Sequence, residues 1–183
     1  GITKFKCATI AEAEMLAMLQ AKDVLLAHQP VGPKAQRLFN LVQHYPKTLF
    51  SCIIDNTDTA KQLSTLFSRS NKTINVFIDL NTGMNRSGMK PSDAFELFQH
   101  INTLPGIKFS GLHAYDGHLR DTEVSIRQGK SNISFKQVFD VAREIKIITS
   151  HQPIIVIGGS PSFPTHINRN VECSPGTFVF WDW

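Results

Sequence analysis

Arg86 stands between two glycines in Ile78-Asp79-Leu80-Asn81-Thr82-Gly83-Met84-Asn85-Arg86-Ser87-Gly88, where a strand-like run passes straight into a polar turn. Gly83 and Gly88 permit backbone angles that other residues resist, and so can hold the arginine over the mouth of a parallel α/β fold. A guanidinium there can bind a carboxylate or phosphate through two parallel hydrogen bonds, or stay charged beside a heteroaromatic nitrogen. Taken alone, the stretch reads equally well as an ordinary glycine-rich loop with a solvated arginine.

Three further segments lie just beyond apolar runs. Gly111-Leu112-His113-Ala114-Tyr115-Asp116-Gly117-His118 brings two histidines, a tyrosine and an aspartate to one strand end. The Tyr115 ring can pack against a planar cofactor and its hydroxyl can orient a polar atom, whereas His113 alternates with Leu112 and reads as core-facing. In Ile157-Gly158-Gly159-Ser160-Pro161-Ser162, adjacent glycines let backbone N–H groups turn toward an anion, with Ser160 or Ser162 adding a hydroxyl. Cys173-Ser174-Pro175-Gly176-Thr177 follows, and Gly176 and Thr177 can add donors beside that loop, since phosphate sites made jointly after late strands recur in barrels.

Positioning these segments requires alternating strands and helices. Short, nearly continuous apolar runs over 2–8, 23–27, 48–54, 73–80, 107–114, 153–157 and 170–173 predict about seven strands of a parallel sheet covered on both faces. Thr9-Ile10-Ala11-Glu12 predicts a capping box that opens a helix through Ala13 to Leu19. Pro91 suits a first helical turn, followed by Phe95, Leu97, Phe98 and Ile101 on an apolar side. Val138, Val141, Ala142, Ile145 and Ile148 form a helical stripe read as core. The fold class is therefore α/β with parallel strands. A closed (βα)8 barrel needs eight strands and typically ~250 residues. Alternation alone leaves a barrel and an open doubly wound sheet both available, although no dinucleotide fingerprint or GxxxxGK[ST] loop follows any strand.

The chain has 183 residues, enough for one domain with a sizeable core, and its formal net charge of +4 is spread without basic runs, which argues against a nucleic-acid partner. No apolar run is long enough to span a bilayer, so no membrane partner is expected. Cys7, Cys52 and Cys173 are odd in number and widely spaced, which argues against a disulfide framework or structural zinc and makes a reducing, cytoplasmic setting the expectation.

Taken together, the four segments resemble a known family. IDLNTGMNRSG is similar to the glycine-flanked arginine motif shared by alanine racemases and the D-threonine aldolase/D-serine dehydratase group of fold-type III pyridoxal-phosphate (PLP) enzymes. GLHAYDGH, IGGSPSFP and CSPGTFVFWD look like the aldolase/dehydratase branch, and the matches run in family order from about residue 2 to residue 182. The resemblance implies a (βα)8 TIM-type barrel that holds PLP, followed by a β-domain. It places Arg86 near the cofactor ring and the substrate carboxylate, and Tyr115 where racemases set a histidine against the pyridine. Gly158, Gly159, Ser160, Ser162, Gly176 and Thr177 would surround the phosphate. Ser174 occupies the position of the racemase arginine at the pyridine nitrogen, which points away from a racemase.

The resemblance also implies what is expected elsewhere. The family's Schiff-base lysine lies on the first barrel strand, upstream of the region matching Gly1, and neither Lys4 nor Lys6 sits in that motif. A divalent metal is expected to take its ligands from the β-domain that follows. The chain is therefore expected to be a segment of a longer protein, lacking the first strand and that β-domain, inactive by itself and homodimeric when complete. Phe178, Phe180, Trp181 and Trp183 form an apolar end that something else should cover. The implied activity is a PLP-dependent lyase reaction on D-threonine, D-serine or a related D-3-hydroxy amino acid. A racemase of the same fold and a non-catalytic PLP carrier are the alternatives.

Overall fold

Branched and aromatic residues dominate the short apolar runs, and in the computed structural model, which describes residues 1–176, six of these runs are strands. They are β1 (Lys4–Cys7), β2 (Asp23–Leu26), β3 (Leu49–Ile54), β4 (Ile74–Asp79), β5 (Ile107–Ala114) and β6 (Ile154–Ile157). Between them run the helices α1 (Ile10–Met18), α2 (Pro33–His44), α3 (Thr57–Ser68), α4 (Ala94–Ile101) and α5 (Val124–Thr149). The sheet order is β1-β2-β3-β4-β5-β6, and the registered pairs β1–β2, β2–β3, β3–β4 and β5–β6 are all parallel. Doubly wound sheets reverse their strand order at a switch point. This sheet does not reverse among the described strands, and sequential order is how (βα)8 barrels lay down their units.

The run at 170–173 was expected as a strand and forms only an isolated bridge between Glu172 and Val156. Residues 163–169 curl through a 3-10 turn, and Val171 N–H donates back to Arg169 O, so little extended chain remains. Parallel-type backbone bonds persist nonetheless: Glu172 N–H to Ile155 O at 2.8 Å and Ile157 N–H to Glu172 O at 2.9 Å.

The chain divides into two compact units that interleave along the sequence. One takes residues 1–78 and 96–110, the other residues 79–95 and the chain from 111 onward. In the first, Thr9 caps α1 as expected: Glu12 N–H donates to Thr9 Oγ1, and the Glu12 carboxylate accepts from the N–H groups of Ala8 and Thr9. Asn56 caps α3 by accepting from Thr59 N–H at 2.8 Å. The core of this unit joins Val24, Cys52, Ile53, Leu38 and Leu63 to an edge-on pair, Phe39 and Phe67, at 5.1 Å. Each fully buried side chain of this size contributes roughly 1.5–3 kcal/mol.

In the second unit Val138, Val141, Ala142 and Ile145 of α5 are buried, as the stripe predicts, together with Leu112, Ala114 and Ile157. Ile148 is not core. It is 62% exposed, in a last turn that ends on left-handed Ser150.

Candidate functional site

A βα loop that positions a cation must itself be fixed, and the loop after β4 is fixed at several points. Asn81 N–H donates to Met89 O at 2.8 Å and Met89 N–H to Asp79 O at 2.9 Å, closing the loop at its neck. Asn81 Oδ1 accepts from the N–H groups of Gly83 and Asn85. Asn85 itself is left-handed, a conformation asparagine tolerates. Gly88 has φ +92°, and a Cβ there would fall 2.7 Å from Asn81 N, so only glycine lets the neck close. Arg86 is thereby presented, exposed, from the tip.

Beneath the loop, Asp79 and His113 form a buried pair at 2.6 Å through His113 Nδ1. The Ser87 hydroxyl, next to Arg86, donates to the other Asp79 oxygen at 2.9 Å. An aspartate buried at the end of an apolar strand needs such partners. That need is the signal by which the sequence could have singled out Asp79. His113, read as core-facing, is indeed buried.

The Arg86 guanidinium carbon sits 4.8 Å from the centroid of the Tyr115 ring. A small pocket beside them is lined by Asp79, Leu80, Met84, Arg86, Ser87 and Tyr115. The ring is seated between two glycines. A Cβ on Gly117 would come within 2.4 Å of it, and a Cβ on Gly159 within 2.9 Å.

The turn after β6 is held from below. Asp116 is fully buried, and its Oδ1 accepts from Ser162 Oγ at 2.5 Å and from Gly159 N–H at 3.1 Å. Its Oδ2 pairs with His166 Nε2 at 2.8 Å. Burial pushes the Asp116 carboxyl up, but the hydrogen bonds from His166, Ser162 and Gly159 outweigh it and hold the group below the usual carboxylate range. Arg169 donates to His166 Nδ1 at 2.9 Å and to Ser131 Oγ at 3.0 Å, with its guanidinium 4.4 Å above Phe135. Nothing in the spacing of Asp116, His166 and Arg169 marks them as partners; Asp116 and His166 are 50 positions apart.

Of the residues singled out from the sequence, Arg86 and Tyr115 lie together, and Tyr115 lies against Gly159. Gly158 and Ser174 are joined by Ser174 N–H to Gly158 O at 3.0 Å, so the two late turns are adjacent. Ser160 is half-buried and Gly176 exposed. The Ser162 hydroxyl and the Gly159 N–H point inward to Asp116. Thr177 lies outside the described residues, as does the apolar end carrying Phe178, Phe180, Trp181 and Trp183. No helix among the described residues is long and apolar enough to cross a membrane.

Residues 1–182 match the family model described as alanine racemase, N-terminal domain. A D-threonine aldolase of an Arthrobacter species is 28% identical over 116 residues, covering 62% of this chain and 30% of that protein. Among solved structures, D-threonine aldolase from Filomicrobium marinum superposes with a TM-score of 0.86 at 23% identity, over 95% of this chain and 48% of that one. D-threo-3-hydroxyaspartate dehydratase from Delftia sp. HT23 gives 0.80 at 18% identity, over 95% and 47%. At these identities the superpositions speak for the fold. The chain spans about half the length of those solved structures.

Proposed function

Because the chain belongs to the alanine racemase N-terminal domain family of fold-type III PLP enzymes, we propose that the protein carrying it is a PLP-dependent lyase for D-3-hydroxy amino acids. The reaction is of the D-threonine aldolase or D-serine dehydratase type. The observation that carries this reading is the pairing of Arg86 with Tyr115 over a fixed loop, beside the two adjoining glycine turns.

These residues fit the cofactor. The Tyr115 ring, held by Gly117 and Gly159, offers a flat wall for a pyridine ring. Gly158 and Ser160, with Gly176 of the neighbouring turn, supply the backbone and hydroxyl donors a phosphate requires, while Gly159, its N–H turned to Asp116, seats the Tyr115 ring beside them; the family resemblance adds Thr177 to this set. Ser162 acts from beneath, holding Gly159. PLP, when bound, supplies a conjugated ring that takes up the electron pair released at the substrate α-carbon.

The protein's own part is binding and orientation. Arg86 binds the substrate carboxylate through parallel N–H bonds and thereby selects which α-substituent stands over the ring. Asp79, through Ser87, keeps the Arg86 loop from swinging. Ser174, in the position where the racemases carry an arginine, adds no cation, which supports a lyase over a racemase. In this reading the cofactor-holding lysine and the ligands of a divalent metal belong to the full-length protein outside this chain. The complete protein is a homodimer, and the chain is part of its PLP-binding barrel domain.

The test uses the purified full-length protein with PLP, given D-threonine, D-serine and alanine in turn. Acetaldehyde with glycine, or pyruvate with ammonia, is the expected product. Racemised alanine with neither product overturns the lyase reading, and PLP that passes freely through a filter retaining the protein overturns cofactor binding.

A further inference from the structure

The hydrogen bonds that run from Arg169 to the turn after β6 have a fixed direction. A guanidinium can only donate, so His166 Nδ1, 2.9 Å from Arg169, must accept. The imidazole proton then sits on Nε2, which donates to Asp116 Oδ2 at 2.8 Å. Asp116 finally accepts from Ser162 Oγ and Gly159 N–H on its other oxygen. Every bond in this chain points toward the one carboxylate.

The chain is also anchored at both ends. Arg169 is held by Ser131 and Asn132 of α5 and lies over Phe135. At the other end the His166 ring packs directly beneath Gly158: a Cβ there would sit 3.0 Å from His166 Cδ2, and its φ of +99° already favours glycine. Asp116 and His166 are both buried, and neither lines the Arg86–Tyr115 pocket. A buried carboxylate under an anion-binding turn opposes an incoming anion unless it is compensated. Arg169, reached through His166, supplies that compensation.

We infer that Asp116, His166 and Arg169 are positioning residues that lock the turn Gly158–Ser162 in its phosphate-accepting conformation before any ligand arrives. The inference rests on the reading of that turn as the phosphate site. Asp116→Asn is a telling replacement. The amide N–H₂ it introduces must face either the His166 Nε2–H or the fixed Gly159 N–H, and donor then meets donor. Switching the imidazole tautomer only moves the conflict to Arg169.

The experiment measures binding of PLP and of pyridoxal, which lacks the phosphate, to the full-length protein and to the variants Asp116→Asn, His166→Ala and His166→Gln. Asp116→Asn and His166→Ala should weaken PLP about tenfold or more, the size expected for one lost charge-assisted hydrogen bond, while leaving pyridoxal nearly unchanged. His166→Gln keeps one acceptor and one donor in the same direction and should recover most of the PLP affinity. Equal losses for PLP and pyridoxal, or no loss for either, overturn the inference.

Amide hydrogen exchange on the cofactor-free wild-type protein gives a measurement that does not depend on the variants folding. The Gly159 N–H should be strongly protected, and exchange at the rate of an open loop overturns the inference. If the wild-type protein binds neither PLP nor pyridoxal, the proposed function fails, and exchange at Gly159 alone then decides whether the network locks the turn.

Discussion

Arg86 and Tyr115 face one another at 4.8 Å, a cation over an aromatic ring, at the ends of two successive strands of the sheet. Neither residue is free to choose that position. Ser87 and the Asp79–His113 pair tie down the arginine loop, and two glycines seat the tyrosine ring. Contacts of this kind contribute about 0.5–2 kcal/mol depending on desolvation. The arrangement therefore owes more to the supporting residues than to the contact itself.

Arg86→Lys keeps the charge and loses the forked geometry. It should raise the KM for the D-amino acid about 10- to 100-fold, the range for a charge-assisted bidentate interaction. Arg86→Ala should raise it further. Steady-state kinetics of the full-length protein check both, and an unchanged KM in Arg86→Ala would overturn the proposed role of Arg86 in carboxylate binding.

Gly117→Ala places a methyl group where the Tyr115 ring now sits, with a separation of 2.4 Å that no structure tolerates. The ring must move, and cofactor affinity should fall while the fold persists. Titrating the variant with PLP, beside far-ultraviolet circular dichroism, distinguishes ring displacement from unfolding.

Acid should destabilise the second unit through Asp116. Its folded carboxyl lies below the ordinary value, so its contribution is fully present above the unfolded carboxylate range and disappears as pH falls through the lower, folded value. Urea unfolding measured as a function of pH should show this slope, and Asp116→Asn should flatten it.

Thiol labelling should distinguish the three cysteines. Burial pushes Cys7 and Cys52 up to about 12, with the charge of Glu12 adding to the effect at Cys7, so neither offers a thiolate near neutral pH. Cys173 is only half-buried. Iodoacetamide on the native protein followed by peptide mass spectrometry should modify Cys173 alone, with Cys7 and Cys52 reacting after unfolding.

Phe67→Ala empties a fully buried position against Phe39 in the first unit. It should cost about 3–5 kcal/mol, read from the midpoint of urea unfolding.

Much of this architecture is written locally. The capping box at Thr9 and Glu12 is a four-residue signal, and the structure contains it bond for bond. The six strands fall within two or three residues of their runs; β2, β3, β4 and β6 are buried along most of their length, which keeps their runs apolar, whereas β1 carries Lys4 and Lys6 and β5 carries Lys108. Ile148 departs from its stripe because periodicity does not reveal where a helix outruns its support. The weak pairing at Glu172 follows from turns at 163–171 that no apolar count registers. Arg86 and Tyr115 lie together in the structure, and both stand out in the sequence because each follows a strand. His166 and Arg169 do not stand out: their roles come from partners far away in sequence, and a histidine in a polar loop carries no mark of burial.

The interleaving of the two units constrains the order of events during synthesis. A ribosome releases the chain from the N-terminus, at about 5–20 residues per second. The first unit includes residues 96–110, so it cannot close until the whole Arg86 loop has already emerged. That loop is consequently joined at both ends to segments that emerge before Tyr115, Gly158 and the rest of its own unit. Arg86 is thus born on a tether, and the pocket around it is completed only after the last residues of the first unit have emerged.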